Sequence, residues 1–227
     1  MKKALKVVPR PFVAFRDRAE AGCRLRDAIE PAPDVPSIVL AVPRGGVPVA
    51  EPLARALDAP LELALVRKLP IPDSPEAGFG AVGLDGEPVL NEPMVSRLGL
   101  SEDQIEAVVS EVVAEVRRRS RAYTGHDRPP KVDGRRVFLV DDGLATGYTM
   151  IAAAQMVRRH EPERTVLAVP VSPLGSLRQV AGYVDDVICL IGQEHPPFAV
   201  ASFYADFRDL SDREVRRILA GRERQAG

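Results

Sequence analysis

The sequence predicts an α/β domain, a mostly parallel sheet of about five strands with helices on both faces. Three observations support this. Short, continuous apolar runs recur along the chain, the pattern of strands buried on both sides. Segments with helical apolar spacing alternate with them, which implies crossover connections and parallel pairing. The 227 residues are 45% hydrophobic and 28% charged, enough for one domain with a sizeable core.

In chain order, residues 16–30 carry Ala19, Cys23, Ala28 and Ile29 among charges, a surface helix ended by Pro31, Pro33 and Pro36. Ser37-Ile-Val-Leu-Ala-Val42 reads as a buried strand, Pro43-Arg-Gly-Gly46 as a turn, and residues 47–57 as a helix. Leu61-Glu-Leu-Ala-Leu-Val66 is a second strand. Residues 67–91 hold Pro70, Pro72, Pro75 and Pro88 with Gly78, Gly80, Gly83 and Gly86, which predicts a long functional loop or lid. Within it, residues 80–84 and 87–91 flank Asp85-Gly86, a hairpin signal. Ser101-Glu-Asp-Gln104 is a capping box that opens a helix. Its apolar stripe runs through Ile105, Val108, Val109, Val112, Val113 and Val116, and it finishes over the cationic residues 117–121. Residues 136–141 form a third strand, 148–160 a helix, 165–171 a fourth strand, 177–182 a short helix and 186–191 a fifth strand. Residues 198–207 are aromatic and partly extended, and Ser211 caps a last helix to Leu219.

The net charge of −1 provides no basic field for nucleic acid. Cys23 and Cys189 match no disulfide framework or zinc spacing, and His126, His160 and His195 form no helical ligand pair. No apolar run approaches the roughly 20 residues of a membrane span. The apolar stretch of residues 1–9 is too short for a signal peptide. A reducing cytoplasm, without a membrane or nucleic-acid partner, is the expectation.

The chemistry concentrates in Val137-Phe-Leu-Val-Asp-Asp-Gly-Leu-Ala-Thr-Gly-Tyr-Thr149. An apolar strand delivers Asp141 and Asp142 at its carboxyl end, where open α/β sheets bind ligands. A loop of small residues then leads into a helix N-terminus. Gly143 and Gly147 let backbone amides approach an anion, and Thr146 and Thr149 add hydroxyls. The two carboxylates repel a phosphate but accept protons from vicinal hydroxyls. A ligand carrying both a ribose diol and a 5-phosphate fits the two halves together.

Val140-Asp-Asp-Gly-Leu-Ala-Thr-Gly-Tyr-Thr149 closely resembles the phosphoribosyl-pyrophosphate signature of type I phosphoribosyltransferases. The two acids, the Ala-Thr-Gly and the closing Thr all match. The resemblance extends from about Phe15 to Leu219 and is nearest to a bacterial and archaeal group whose acceptor is generally unassigned. It implies a Rossmann-like fold over residues 1–227 with a mobile loop, hairpin and helix insertion at 67–122 and a small C-terminal hood and tail at 192–227. It also implies ribose contacts from Asp141 and Asp142, and a 5-phosphate cradle from Gly143, Leu144, Ala145, Thr146, Gly147, Tyr148 and Thr149. Arg44, Gly45 and Gly46 would hold pyrophosphate, in the family often through a non-proline cis peptide. Arg67 and Lys68 would act catalytically on the departing pyrophosphate. Glu76, Phe198 and Tyr204 are candidate acceptor contacts, although packing also accounts for the aromatics. Mg2+ is the implied cofactor, held mainly by substrate oxygens, with Asp141 and Asp142 the side chains expected to touch it.

The implied activity is transfer of phosphoribose from 5-phosphoribosyl-1-pyrophosphate to a small-molecule acceptor, with a homodimer among the expected assemblies. A ligand-sensing regulatory protein and a hydrolase would use the same grip. Hypoxanthine–guanine enzymes carry an acid where Ala145 stands, so a 6-oxopurine acceptor is disfavoured. Tyr148 replaces a commonly small residue. Gly78-Phe-Gly-Ala-Val-Gly83 formally matches a dinucleotide fingerprint, but turn residues rather than a helix follow it.

Overall fold

The computed structural model describes residues 6–30, 35–71 and 74–223, with 74–77 and 222–223 described as backbone alone. In chain order the elements are β1 (Lys6–Val8), α1 (Arg18–Asp27), β2 (Ser37–Ala41), α2 (Gly46–Ala56), β3 (Leu61–Leu63), β4 (Val66–Ile71), β5 (Ser74–Gly83), β6 (Pro88–Leu90), α3 (Glu92–Leu98) and α4 (Glu102–Thr124). Then come β7 (Arg136–Val140), α5 (Tyr148–Arg158), β8 (Arg164–Pro173), α6 (Leu174–Val180), β9 (Asp186–Gln193), a short 3-10 turn (Val200–Phe203) and α7 (Asp212–Glu223).

Six strands form one parallel sheet in the order β1-β9-β8-β7-β2-β3. The expected five are present and β1 is the sixth, an edge strand of three residues paired with β9. Successive side chains point to opposite faces, so each continuous apolar run supplies both layers. Val39, Ala41, Phe138, Val140, Val166 and Ala168 pack towards α2, α4 and α7. Ile38, Leu40, Val137, Leu139, Leu167 and Val169 pack towards α5 and α6. Among the described residues no helix is long and apolar enough to cross a membrane.

The chain leaves β2 towards β3 but leaves β7 towards β8 and β9 on the other side. The adjacent strands β2 and β7 therefore define the switch point, where the loops at their carboxyl ends diverge and leave a crevice.

Residues 67–91 differ from the expected loop. They are largely a second, antiparallel sheet, β4-β5-β6. The prolines hid it. Pro70 falls at a register irregularity between Leu69 and Ile71, where a missing ladder donor is tolerated. The predicted hairpin is β5–β6, with Gly86 at φ +80° in its turn. The expected strand over 61–66 divides, Leu61–Leu63 staying in the parallel sheet and Val66 beginning β4. Helix α3, capped by Asn91, was not expected. The capping box of α4 is formed in both directions: the Ser101 side chain accepts the Gln104 amide (3.3 Å), and the Gln104 side chain accepts the Ser101 amide (2.9 Å).

Candidate functional site

The crevice is assembled from the two strand ends. The Val42 amide donates to the Val140 carbonyl (2.9 Å), so the turn after β2 lies beside the loop after β7. A Cβ on Gly45 would lie 2.0 Å from Asp142 Oδ2, and one on Gly46 would lie 2.6 Å from the Val140 carbonyl. Both glycines are therefore required by close approach. The Pro43–Arg44 peptide is cis. Arg44 is exposed, with its guanidinium 3.8 Å from Asp212.

Asp141 and Asp142 are both half-buried. Asp141 Oδ1 accepts the Asp142 amide (2.8 Å). Asp142 Oδ2 accepts Arg18 Nε (2.7 Å), with only 11% and 14% of the two side chains exposed. The Tyr204 hydroxyl donates to the Asp142 carbonyl (2.6 Å). Burial, then the neighbouring Asp142 charge, push Asp141 well above the usual carboxylate range. Burial also raises Asp142, and Arg18 opposes that rise. Two adjacent acids held above their ordinary range mark a functional site more than a stabilising one.

The loop that follows is rigidly packed. A Cβ on Gly143 would lie 2.5 Å from Val200 and 2.8 Å from Val171, so this glycine admits the segment around the 3-10 turn. Leu144 is buried and its amide donates to the Val171 carbonyl (2.9 Å), which removes that amide from the expected phosphate cradle. Gly147 caps α5 at φ +85°, and a Cβ there would lie 2.7 Å from Val180. Its need for glycine thus comes from left-handed backbone and packing on α6. The amides of Ala145, Thr146, Gly147, Tyr148 and Thr149 donate to no acceptor among the described residues. They gather at the N-terminus of α5, where the helix dipole adds positive potential.

A cleft of about 1000 Å3 opens beside these amides. Thr146, Tyr148 and Thr149 line it together with Arg67 and Lys68 of β4. Arg67 also pairs with Glu115 of α4 (2.9 Å). The acids and the Gly45-Gly46 turn do not line this cleft.

The family model described as the phosphoribosyl transferase domain matches residues 86–208, including the whole acid–loop–helix segment. The chain belongs to the phosphoribosyl transferase family. Two Mycobacterium tuberculosis proteins, each named "Putative phosphoribosyl transferase", are 42% identical over 206 residues, covering 90% of this chain. The chain spans about half the length, 46%, of these curated relatives. The crystal structure of TT1426 from Thermus thermophilus shares 36% identity at a TM-score of 0.79, covering 92% of this chain and 99% of that one. The family is one of transferases, and the parallel sheet described above is the scaffold this chain shares with TT1426.

In this phosphoribosyl transferase relative, the aromatic candidates Phe198 and Tyr204 do not line the cleft of about 1000 Å3. Tyr204 is buried and spends its hydroxyl on Asp142, and Phe198 packs on Phe203 with ring centroids 5.6 Å apart. Phe15, Phe203, Tyr204 and Phe207 pack in one apolar cluster, which accounts for their burial. The Glu76 side chain lies outside the described residues. Sequence reasoning missed Arg18, which stands in a run of charges and meets its partner 124 positions later, and it missed Gln155, Gln179 and Tyr183 in the cleft wall.

Proposed function

We propose that this chain binds 5-phosphoribosyl-1-pyrophosphate with Mg2+ at the switch point between β2 and β7 and transfers its phosphoribosyl group to a small-molecule acceptor. The C1–oxygen bond to pyrophosphate breaks, and pyrophosphate departs with the electron pair. The acceptor's nucleophilic atom bonds to C1, and its proton passes to solvent or to the departing pyrophosphate. One observation carries the reading: a half-buried acid pair adjoins a row of unspent amides at a helix N-terminus. The acids suit the ribose hydroxyls and the amides suit the 5-phosphate.

Gly45, Gly46 and Arg44 receive the pyrophosphate, glycine for close approach and arginine for charge. Arg67 and Lys68 supply positive charge whose attraction grows as negative charge develops on the departing pyrophosphate. Among the described residues no group of three or more His, Cys, Asp or Glu side chains could hold a metal. Mg2+ is commonly bound through one or two carboxylates plus substrate oxygens, and the adjacent Asp141 and Asp142 offer two carboxylates. Asp141 and Asp142 are the residues that would touch it, and bound Mg2+ would neutralise phosphate charge. The two free cysteines, Cys23 and Cys189, suit work in a reducing cytoplasm. Ribose 5-phosphate should compete with the substrate while free ribose should not. Equal competition by ribose would remove the phosphate cradle and the reading with it.

A further inference from the structure

We infer that Arg18 is a positioning residue for the ribose-holding acids, fixing the Asp142 carboxylate beside the pyrophosphate turn. This rests on the phosphoribosyl reading of the site and goes beyond the residues that any motif marks. The Arg18 guanidinium is engaged on three sides. Nε donates to Asp142 Oδ2 (2.7 Å), one terminal nitrogen donates to the Arg208 carbonyl (2.9 Å), and the plane lies over the Phe207 ring, 3.8 Å from its centroid. Few side chains other than arginine offer a flat, always-charged donor fork that hydrogen-bonds at its edge and stacks on its face.

The platform is equally specific. Residues 14–16 run beside residues 203–206 through four backbone bonds. The Ala14 and Phe15 amides reach the Phe203 carbonyl (2.9 and 3.0 Å), the Ala205 amide reaches Phe15 (2.8 Å), and the Asp206 amide reaches Arg16 (2.8 Å). This double strap carries Arg18 at the start of α1 and Tyr204 on its other strand. Arg18 takes the Asp142 carboxylate and Tyr204 takes the Asp142 carbonyl, so one support holds both ends of the residue. The carboxylate so held rests against Gly45, whose missing Cβ leaves it room. Displacing it would disturb the ribose contact and the neighbouring turn together.

Stability alone does not account for this arrangement. A nearly buried ion pair is weak evidence for net stabilisation, because desolvation opposes the attraction. Packing between the strap and the sheet is already supplied by Phe15, Phe203 and Tyr204 with Val171. The contact that needs an arginine is the one on Asp142.

The test is a pair of calorimetric titrations, inorganic phosphate and ribose 5-phosphate, into the wild-type chain and the Arg18→Gln and Arg18→Lys variants. Phosphate reports the amide cradle, and the gain of ribose 5-phosphate over phosphate reports the ribose grip. In the wild type that gain should be about tenfold or more, the worth of a hydrogen bond to a charged group. In Arg18→Gln it should fall close to unity while phosphate affinity holds, and Arg18→Lys should restore part of it. A gain that survives Arg18→Gln overturns the inference. A parallel loss of phosphate affinity also overturns it, because Arg18 would then be a general brace. Absence of any gain in the wild type removes the ribose reading itself, and this inference with it. If Arg18→Gln does not fold, Phe207→Leu keeps the ion pair but frees the guanidinium to turn. It should reduce the gain severalfold, and an unchanged gain overturns the inference.

Discussion

Two Asp-Asp pairs lie at opposite ends of the parallel sheet. Asp185-Asp186 opens β9 at the amino end, and Asp141-Asp142 follows β7 at the carboxyl end. The first pair is fully answered by its surroundings. Arg164 donates to both oxygens of Asp186 (2.5 and 3.2 Å), the Thr165 amide donates to Asp185 (2.7 Å), and Arg158 lies 3.6 Å from Asp185. Arg164 holds Asp186 below the usual carboxylate range. The second pair is pushed the other way by burial, with Arg18 as its one ion-pair partner among the described residues. The same dipeptide is thus a structural tie at one end of the sheet and unspent acceptor capacity at the other. The carboxyl end is where open α/β sheets place their ligands.

The comparison breaks most sharply at the glycines. Gly45→Val would drive its side chain into Asp142, so substrate affinity should fall by about two orders of magnitude or more, as expected when hydrogen bonds to charged groups are lost together. Gly182→Ala, near the amino-end pair, meets nothing nearer than 3.6 Å and should leave affinity unchanged. Calorimetry on both variants checks this, and equal affinities would count against the Gly45–Asp142 contact.

A smaller effect is expected at Lys68. Lys68→Ala should lower turnover by roughly ten- to a hundredfold with little change in substrate affinity, if its charge acts on departing pyrophosphate. Steady-state kinetics read the split, and weakened affinity at constant turnover would assign Lys68 to ground-state binding.

The two acid pairs should also differ in the sign of their pH dependence. Asp141 is raised on folding, so between the ordinary carboxylate value and its raised value the folded chain holds a proton that the unfolded chain has released. Its contribution to stability falls as pH rises through that window. Asp186 is lowered, so its contribution is present above the ordinary value and is lost as pH falls. Urea unfolding across pH should show Asp141→Asn removing the first slope and Asp186→Asn the second. The smallest effect belongs to Arg164→Ala. Its side chain is 54% exposed, so solvent screens the pair, and losing it should shift the unfolding midpoint only slightly with binding untouched.

What the sequence made legible follows from how local each feature is. β7, its acids and the α5 N-terminus are contiguous, so strand, loop and helix could be read together. The presence of the parallel sheet could be read because doubly buried strands are written as apolar runs, whereas its strand order could not. The antiparallel sheet was obscured because Pro70 and Pro88 look like breakers until β5 is seen beside them. β1 was obscured because three residues carry no periodicity and only pairing with β9 makes them a strand. A second reason for glycine at 147 was out of view, since the neighbour its missing Cβ spares is Val180, 33 positions away. Arg18 was invisible for the same reason: its meaning lies in Asp142 and in Phe207, both brought to it only by the fold.

The central claim is that the acids after β7, and not those at the start of β9, hold the substrate. It is tested most directly by titrating 5-phosphoribosyl-1-pyrophosphate with Mg2+ into three proteins by calorimetry: wild type, Asp141→Asn/Asp142→Asn and Asp185→Asn/Asp186→Asn. The first double variant should stay folded and lose about a hundredfold or more in affinity, as the loss of two charge-assisted contacts requires. The second should bind within about twofold of wild type while unfolding more readily, since only a structural tie has gone. Unaltered affinity in the first variant, or an equal loss in both, would contradict the account.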